Sequence, residues 1–186
     1  DDTDPYERIY IQWSLSKFFP AKTMGSHVTN WNKNTSVKFR TDVCSSCKLG
    51  FDIDLKSLSA DDYKFVQQAV KNYNDMKPMI LDGDQYRLVS PYEGSHCAVN
   101  YVSKDKQRAV LFAYDLHPRY KEPQQNVKLQ GLNPAKVYTV KETNLMPGKT
   151  SELECDGKQF SGDYLMKVGL SVFTPQDGTS HVLMFE

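Results

Sequence analysis

Three carboxylates, Asp1, Asp2 and Asp4, fall within the first four residues, followed by Pro5-Tyr6-Glu7-Arg8. Carboxyl groups at this spacing could share acid–base work, one giving up a proton while another stays ionised. They could equally cap a helix. Asp4 fits an N-cap, Pro5 suits the first helical position, and Glu7 stands three residues past the cap. On spacing alone both uses stay open for Asp1 and Asp2, while Asp4 reads as the cap. Because the cluster stands at the first residue of the sequence, it is expected to be one part of a site whose remainder lies upstream.

Other residues with chemical potential are fewer. Cys44-Ser45-Ser46-Cys47 is a lone CxxC pair, which could be a redox motif, half of a zinc site, or two small buried residues. No further ligands stand at metal-binding spacing, and the buried reading is preferred. His27 either lines a pocket or packs as a hydrogen-bonded side chain. His96, His117 and His181 lie in the strand-rich part and carry no motif. The tyrosines and phenylalanines of that part could form a sugar-binding platform, although core and turn packing is their commoner use.

The elements that must position these groups divide near residues 77–84. The first part mixes helices with short buried strands. A helix beginning at Pro5 carries Tyr6, Ile9, Trp13 and Phe18 roughly on one face and is expected to stop at Pro20. A strand and its exit loop are expected over 23–28, a polar loop over 30–36, and a strand around Leu49-Gly50-Phe51. A second helix starts at Ser59, with Tyr63, Val66, Val70 and Tyr73 at helical spacing, and is expected to end at Pro78. Beyond Gly83 the chain reads as strands: 97–102 and 108–116 joined by a short turn, then 127–129, 137–140, a hairpin over 152–160 centred on Asp156-Gly157, and 181–185.

The 186 residues suffice for one large or two small domains. Lys and Arg total 23, equal to Asp and Glu, which argues against nucleic-acid binding and against a polybasic membrane surface. No apolar run approaches the roughly 18 residues that span a bilayer. Four cysteines are too sparse for a disulfide scaffold, and the compartment stays open.

Several segments together carry a resemblance: Asp1-Asp2-Thr3-Asp4-Pro5-Tyr6-Glu7-Arg8 with Ile11-Gln12, Met24-Gly25-Ser26-His27-Val28, Phe39-Arg40-Thr41-Asp42-Val43, Gly50-Phe51-Asp52-Ile53-Asp54-Leu55, Tyr86-Arg87-Leu88-Val89-Ser90-Pro91-Tyr92-Glu93-Gly94 and Ser161-Gly162-Asp163-Tyr164-Leu165-Met166. In this order, over nearly the whole chain, they resemble glycoside hydrolase family 36, which contains α-galactosidases. The resemblance implies α/β followed by all-β architecture. Residues 1–82 would be the last part of a (β/α)8 TIM barrel, and residues 83–186 a C-terminal antiparallel β-sandwich. A complete barrel takes about 250 residues, so the first part is too short to be one by itself.

The resemblance also implies a mechanism. Family members retain anomeric configuration with two carboxylates, a nucleophile and an acid/base. The acid/base position corresponds to Asp1, which is thereby both the catalytic and the substrate-contacting candidate. The nucleophile would lie upstream, so this polypeptide alone is expected not to hydrolyse glycosides. The implied partner is an α-galactoside oligosaccharide of the melibiose or raffinose type, with neither nucleic acid nor membrane. Assembly into a homo-oligomer through the parent enzyme is compatible with the family. No metal or organic cofactor is implied, because two carboxylates suffice. Residues 30–34, with Trp31, depart from the family's loop and bear on specificity or subunit contacts. The alternative is a non-catalytic carbohydrate-binding or scaffolding β-sandwich module. A thiol–disulfide protein using Cys44 and Cys47 is a third reading.

Overall fold

A computed structural model describes residues 2–31, 34–122, 125–174 and 176–186. Its first part is α1 (Pro5–Leu15), β1 (Gly25–Thr29), α2 (Val37–Ser45), β2 (Lys48–Asp52) and α3 (Ala60–Asp82). β1 and β2 pair in parallel, Gly25 opposite Lys48 through Thr29 opposite Asp52, with α2 as the crossover between them.

Each helix begins at the cap its sequence supplies. Asp4 accepts from the backbone of Tyr6 at 2.9 Å and Glu7 at 3.3 Å. Ser36 caps α2 through Phe39 N at 3.0 Å, and Ser59 caps α3 through Asp62 N at 3.1 Å. The ends differ from expectation. α1 stops at Leu15, five residues before Pro20, because the Ser16 hydroxyl bonds Trp13 O and the following turns tighten to three-residue closures. Phe18 therefore leaves the helical face and stands 81% exposed. α3 runs past Pro78 to Asp82, since Pro78 lies on the exposed side while Met76, Met79 and Ile80 continue the buried one. That buried stripe follows Phe65, Val66, Ala69 and Tyr73, leaving Tyr63 and Val70 toward solvent.

α2 is a helix where only the neighbouring strand was expected. Eight of its residues are buried, including Arg40, Thr41 and Asp42, so no polar stripe marks it in the sequence.

The second part is one six-stranded antiparallel sheet in the order β3-β4-β5-β8-β6-β7. Its strands are β3 (Asp84–Val89), β4 (His96–Val102), β5 (Ala109–Asp115), β6 (Val137–Thr143), β7 (Gln159–Ser161) and β8 (Ser180–Phe185), with α4 (Gly162–Lys167) between the last two. One face packs Val99, Tyr101, Phe112 and Val182 against Ile9, Trp13, Phe39 and Met76 of the helices. The other face packs Leu111, Leu183 and Phe185 against residues from Val127, Leu129, Leu165 and Val172. This second cover is not a full β-layer. Among the described residues, the stretch expected as a strand over 127–129 makes one bridge, Val127 to Leu170. The expected 152–160 hairpin is likewise a turn docked on β6: Gly157 N donates to Val140 O at 2.8 Å, and the segment beyond it pairs as β7.

The two parts are joined through the C-terminal carbonyls of α2, which a helix leaves open. Tyr101 of β4 donates to Ser46 O and Tyr114 of β5 to Asp42 O at 3.3 Å, while within the first part Tyr73 of α3 donates to Cys47 O at 2.8 Å and Gln12 of α1 to Val43 O at 3.0 Å.

Candidate active site

The chemical end of a parallel strand pair is its C-terminal end. Here that end is formed by Thr29 of β1 and Asp52 of β2. Thr29 Oγ1 donates to Thr3 Oγ1 at 3.2 Å, so the segment leading into α1 runs beside it. Asp2 Oδ1 accepts from Asp4 N at 2.8 Å, which closes a local turn ahead of the helix cap. Asp1 lies outside the described residues, as do Asn32 and Lys33 of the divergent loop.

Two buried arginines hold β1 at its two ends. Arg8 Nη2 donates to Gly25 O at 3.0 Å, and its Nε to Gln12 Oε1 at 3.3 Å. Arg40 Nη1 donates to Thr29 O. Burial lowers the Arg40 pKa from its ordinary value, a shift opposed by Asp62 and Cys44. Sequence reasoning missed both as positioning residues. The available signal was a charged residue on a helix face otherwise buried.

His27 is exposed on β1 and lies over Gly50 of β2. A Cβ at Gly50 would stand 2.4 Å from the imidazole, so glycine is what lets the ring lie there. Trp31, two residues past β1, is 77% exposed.

The remaining histidines each face a carboxylate. His96 Nδ1 is 2.8 Å from Asp115 Oδ1, and His181 Nδ1 is 2.6 Å from Glu142 Oε1. His117 Nδ1 is 3.0 Å from Asp177 Oδ2. No local motif could announce pairs so distant in sequence.

The cysteines are all free and buried. Burial pushes Cys44 up to about 11 and Cys47 up to about 12. Both sit at the C-terminal end of α2, where the helix dipole disfavours a thiolate. This is the reverse of a redox pair at a helix start, and the thiol–disulfide reading is set aside. Among the described residues, no group of three or more His, Cys, Asp or Glu could hold a metal, and no helix is long and apolar enough to cross a membrane.

Comparison with known proteins covers both parts. Residues 1–83 match the Melibiase family, and residues 96–185 match the glycosyl hydrolase family 36 C-terminal domain. A probable alpha-galactosidase C of Aspergillus terreus is 32% identical over 193 residues, covering 100% of this chain and 24% of the relative. Alpha-galactosidase 1 of Pediococcus pentosaceus is 30% identical over 194 residues, again covering 100% and 24%. The crystal structure of the GH36 alpha-galactosidase AgaA from Geobacillus stearothermophilus superposes with a TM-score of 0.86 at 26% identity, over 100% of this chain and 25% of that one. Variants of that enzyme have been solved with stachyose and with raffinose, both at a TM-score of 0.86. The chain thus spans about a quarter of the length of the relatives it matches.

Proposed function

This chain belongs to glycoside hydrolase family 36, and from that premise we propose that it is the C-terminal portion of a retaining α-galactosidase. Residues 1–82 complete its catalytic (β/α)8 barrel, and residues 83–186 form the β-domain packed against it. The substrates are oligosaccharides with terminal α-linked galactose, the class to which raffinose and stachyose belong.

Asp1 is the general acid/base. It protonates the departing glycosidic oxygen while a second carboxylate, upstream of this sequence, attacks the anomeric carbon from the opposite face. With the nucleophile esterified, its negative charge is gone and the Asp1 proton has been spent. Asp1 then removes a proton from water, which releases galactose with its configuration kept. The observation that carries this reading is the Thr3–Thr29 contact, which runs the segment following Asp1 beside the C-terminal end of a parallel strand. Arg8 and Arg40 serve as positioning residues by holding the carbonyls of Gly25 and Thr29.

The test is Asp1→Ala in the full-length enzyme. Hydrolysis of substrates with sugar leaving groups should fall by about 10²–10⁴-fold, and that of activated aryl α-galactosides by less, because aryl leaving groups need little protonation. Azide should partly restore turnover and yield the α-galactosyl azide. A β-galactosyl azide would mark Asp1 as the nucleophile instead, and an unchanged rate would reduce it to part of the helix start. The present chain by itself should leave an aryl α-galactoside intact.

A further inference from the structure

A groove of about 470 Å³ opens between the first turns of α1 and the loops leaving β3 and β5. Tyr6, Glu7, Tyr10, Tyr92, Leu116 and His117 line it. Its rings are held in place. The Tyr92 and Ser14 hydroxyls are 2.9 Å apart, and Tyr92 meets Tyr10 edge-on at 5.1 Å while remaining 62% exposed. His117 stacks on Tyr6, centroids 4.6 Å apart and planes at 16°.

Asp177 fixes that stack from behind. One oxygen accepts from Tyr6 Oη at 2.7 Å and from His117 N at 3.2 Å, and the other lies 3.0 Å from His117 Nδ1. Partial burial alone would raise the Asp177 pKa, but the bonds from Tyr6 and His117 outweigh it and keep the group below its ordinary value. His117 takes φ +56°, an uncommon conformation for a non-glycine residue. Gly178, at φ +66°, leaves room for the Tyr6 hydroxyl, which a Cβ there would approach to 2.8 Å. Strain, stacking and a shared carboxylate thus converge on an exposed imidazole whose Nε2 has no partner among the described residues.

We propose that this groove is a carbohydrate subsite that holds the leaving-group end of α-galactosyl oligosaccharides. The assignment rests on the α-galactosidase reading. Pre-set aromatic faces take the apolar C–H faces of pyranose rings, and an imidazole and a carboxylate on the rim take their hydroxyls. Among the described residues Leu116 is the one aliphatic side chain in the lining, which suits a sugar better than the apolar core of a protein interface. The location fits as well. Tyr6 follows Asp1 by five residues, a reach of roughly 17 Å at most, which an oligosaccharide of a few rings can bridge.

The experiment compares kcat/KM for an α-galactosyl tetrasaccharide with that for an aryl α-galactoside in the full-length enzyme. Tyr92→Ala and His117→Asn should each lower the ratio about tenfold, through KM of the tetrasaccharide. Tyr92→Phe, which keeps the ring, should stay within about twofold of wild type. Thermal unfolding confirms that the variants fold. A wild-type ratio in both variants overturns the proposal. So does a change of subunit assembly in light scattering without a change in the ratio, which would assign the groove to a protein contact. If the wild-type enzyme cleaves neither substrate, the catalytic reading fails. The groove is then judged by titrating the tetrasaccharide into the protein by NMR, where shifts confined to the groove support it and their absence ends it.

Discussion

Asp42 has no solvent contact, and its carboxylate is held from α2, from β8 and from the residue that follows β6. Lys38 of α2 reaches its Oδ2 at 2.5 Å, Ser180 of β8 donates to the same oxygen at 2.7 Å, and Asn144 beyond β6 donates to Oδ1 at 2.8 Å. Asp42 belongs to the Phe39–Val43 segment that carries part of the family resemblance, and its visible work is to tie the helices to the sheet. Removing one member of a buried, hydrogen-bonded pair leaves the others desolvated without compensation. Asp42→Ala should therefore cost about 3 kcal/mol or more in urea denaturation. A loss under about 1 kcal/mol would mean that water replaces the carboxylate. The thiols make an opposite case, in which chemistry is suppressed. With pKa values near 11 and 12, Cys44 and Cys47 hold negligible thiolate at pH 8. An aromatic disulfide reagent should modify neither until the protein is unfolded, and fast modification of the native chain would restore the redox reading.

The β6–β8 pair brings the buried Glu142 and the half-buried His181 together, with the Ser151 hydroxyl on the other Glu142 oxygen. Burial would raise the Glu142 pKa, but the His181 and Ser151 bonds outweigh it and hold the carboxyl below glutamate's ordinary 4.5. A depressed carboxylate stabilises the fold above its unfolded pKa and loses that contribution as pH falls through the folded value. Stability should thus decline as pH drops below about 4.5, and Glu142→Gln should flatten that part of the profile. An unaltered acid limb in the variant would place the acid sensitivity elsewhere. At this scale the sequence was legible where local signals suffice. The cap at Asp4, the helix start near Ser59, the strand around Gly50, and β4, β5 and β8 follow from capping chemistry, helical spacing and apolar runs. It was not legible where tertiary burial overrode local pattern. α2 hides Arg40, Thr41 and Asp42 inside, α3 tolerates Pro78 on its open side, and the Asp156-Gly157 turn docks on β6 instead of pairing its own arms. β3 and α4 carry no apolar run and were not anticipated. The site was legible in part, since Asp4 caps as its spacing indicated. The anchoring of β1 by Arg8 and Arg40 and the Tyr6–Asp177–His117 cluster were not, because they join residues far apart in the chain.

The six-stranded sheet is buried on both faces, and its two cores belong to different parts of the sequence. Val99, Tyr101, Val110, Phe112, Tyr114 and Val182 project from the sheet onto α1, α2 and α3, so the helices are as much the cover of the sheet as the sheet is of them. A change of composition near residue 83 therefore divides architectures without dividing the packing. Residues 84–186 produced alone would expose this apolar face, far more than single scattered surface hydrophobics would present, and should bind a hydrophobic dye and self-associate. In the intact chain, Trp13 reports the helix side from its 8% exposed position, whereas Trp31 already stands in water. Its fluorescence transition should coincide with the loss of sheet signal in circular dichroism, because neither layer keeps a covered core once the other has gone. Separate transitions, or a monomeric 84–186 fragment that unfolds cooperatively, would show that the β-domain stands by itself and that the helices merely rest on it. Coincidence would mean that a lesion such as Asp42→Ala lowers activity by loosening the layer against which α1 and the segment before it are held.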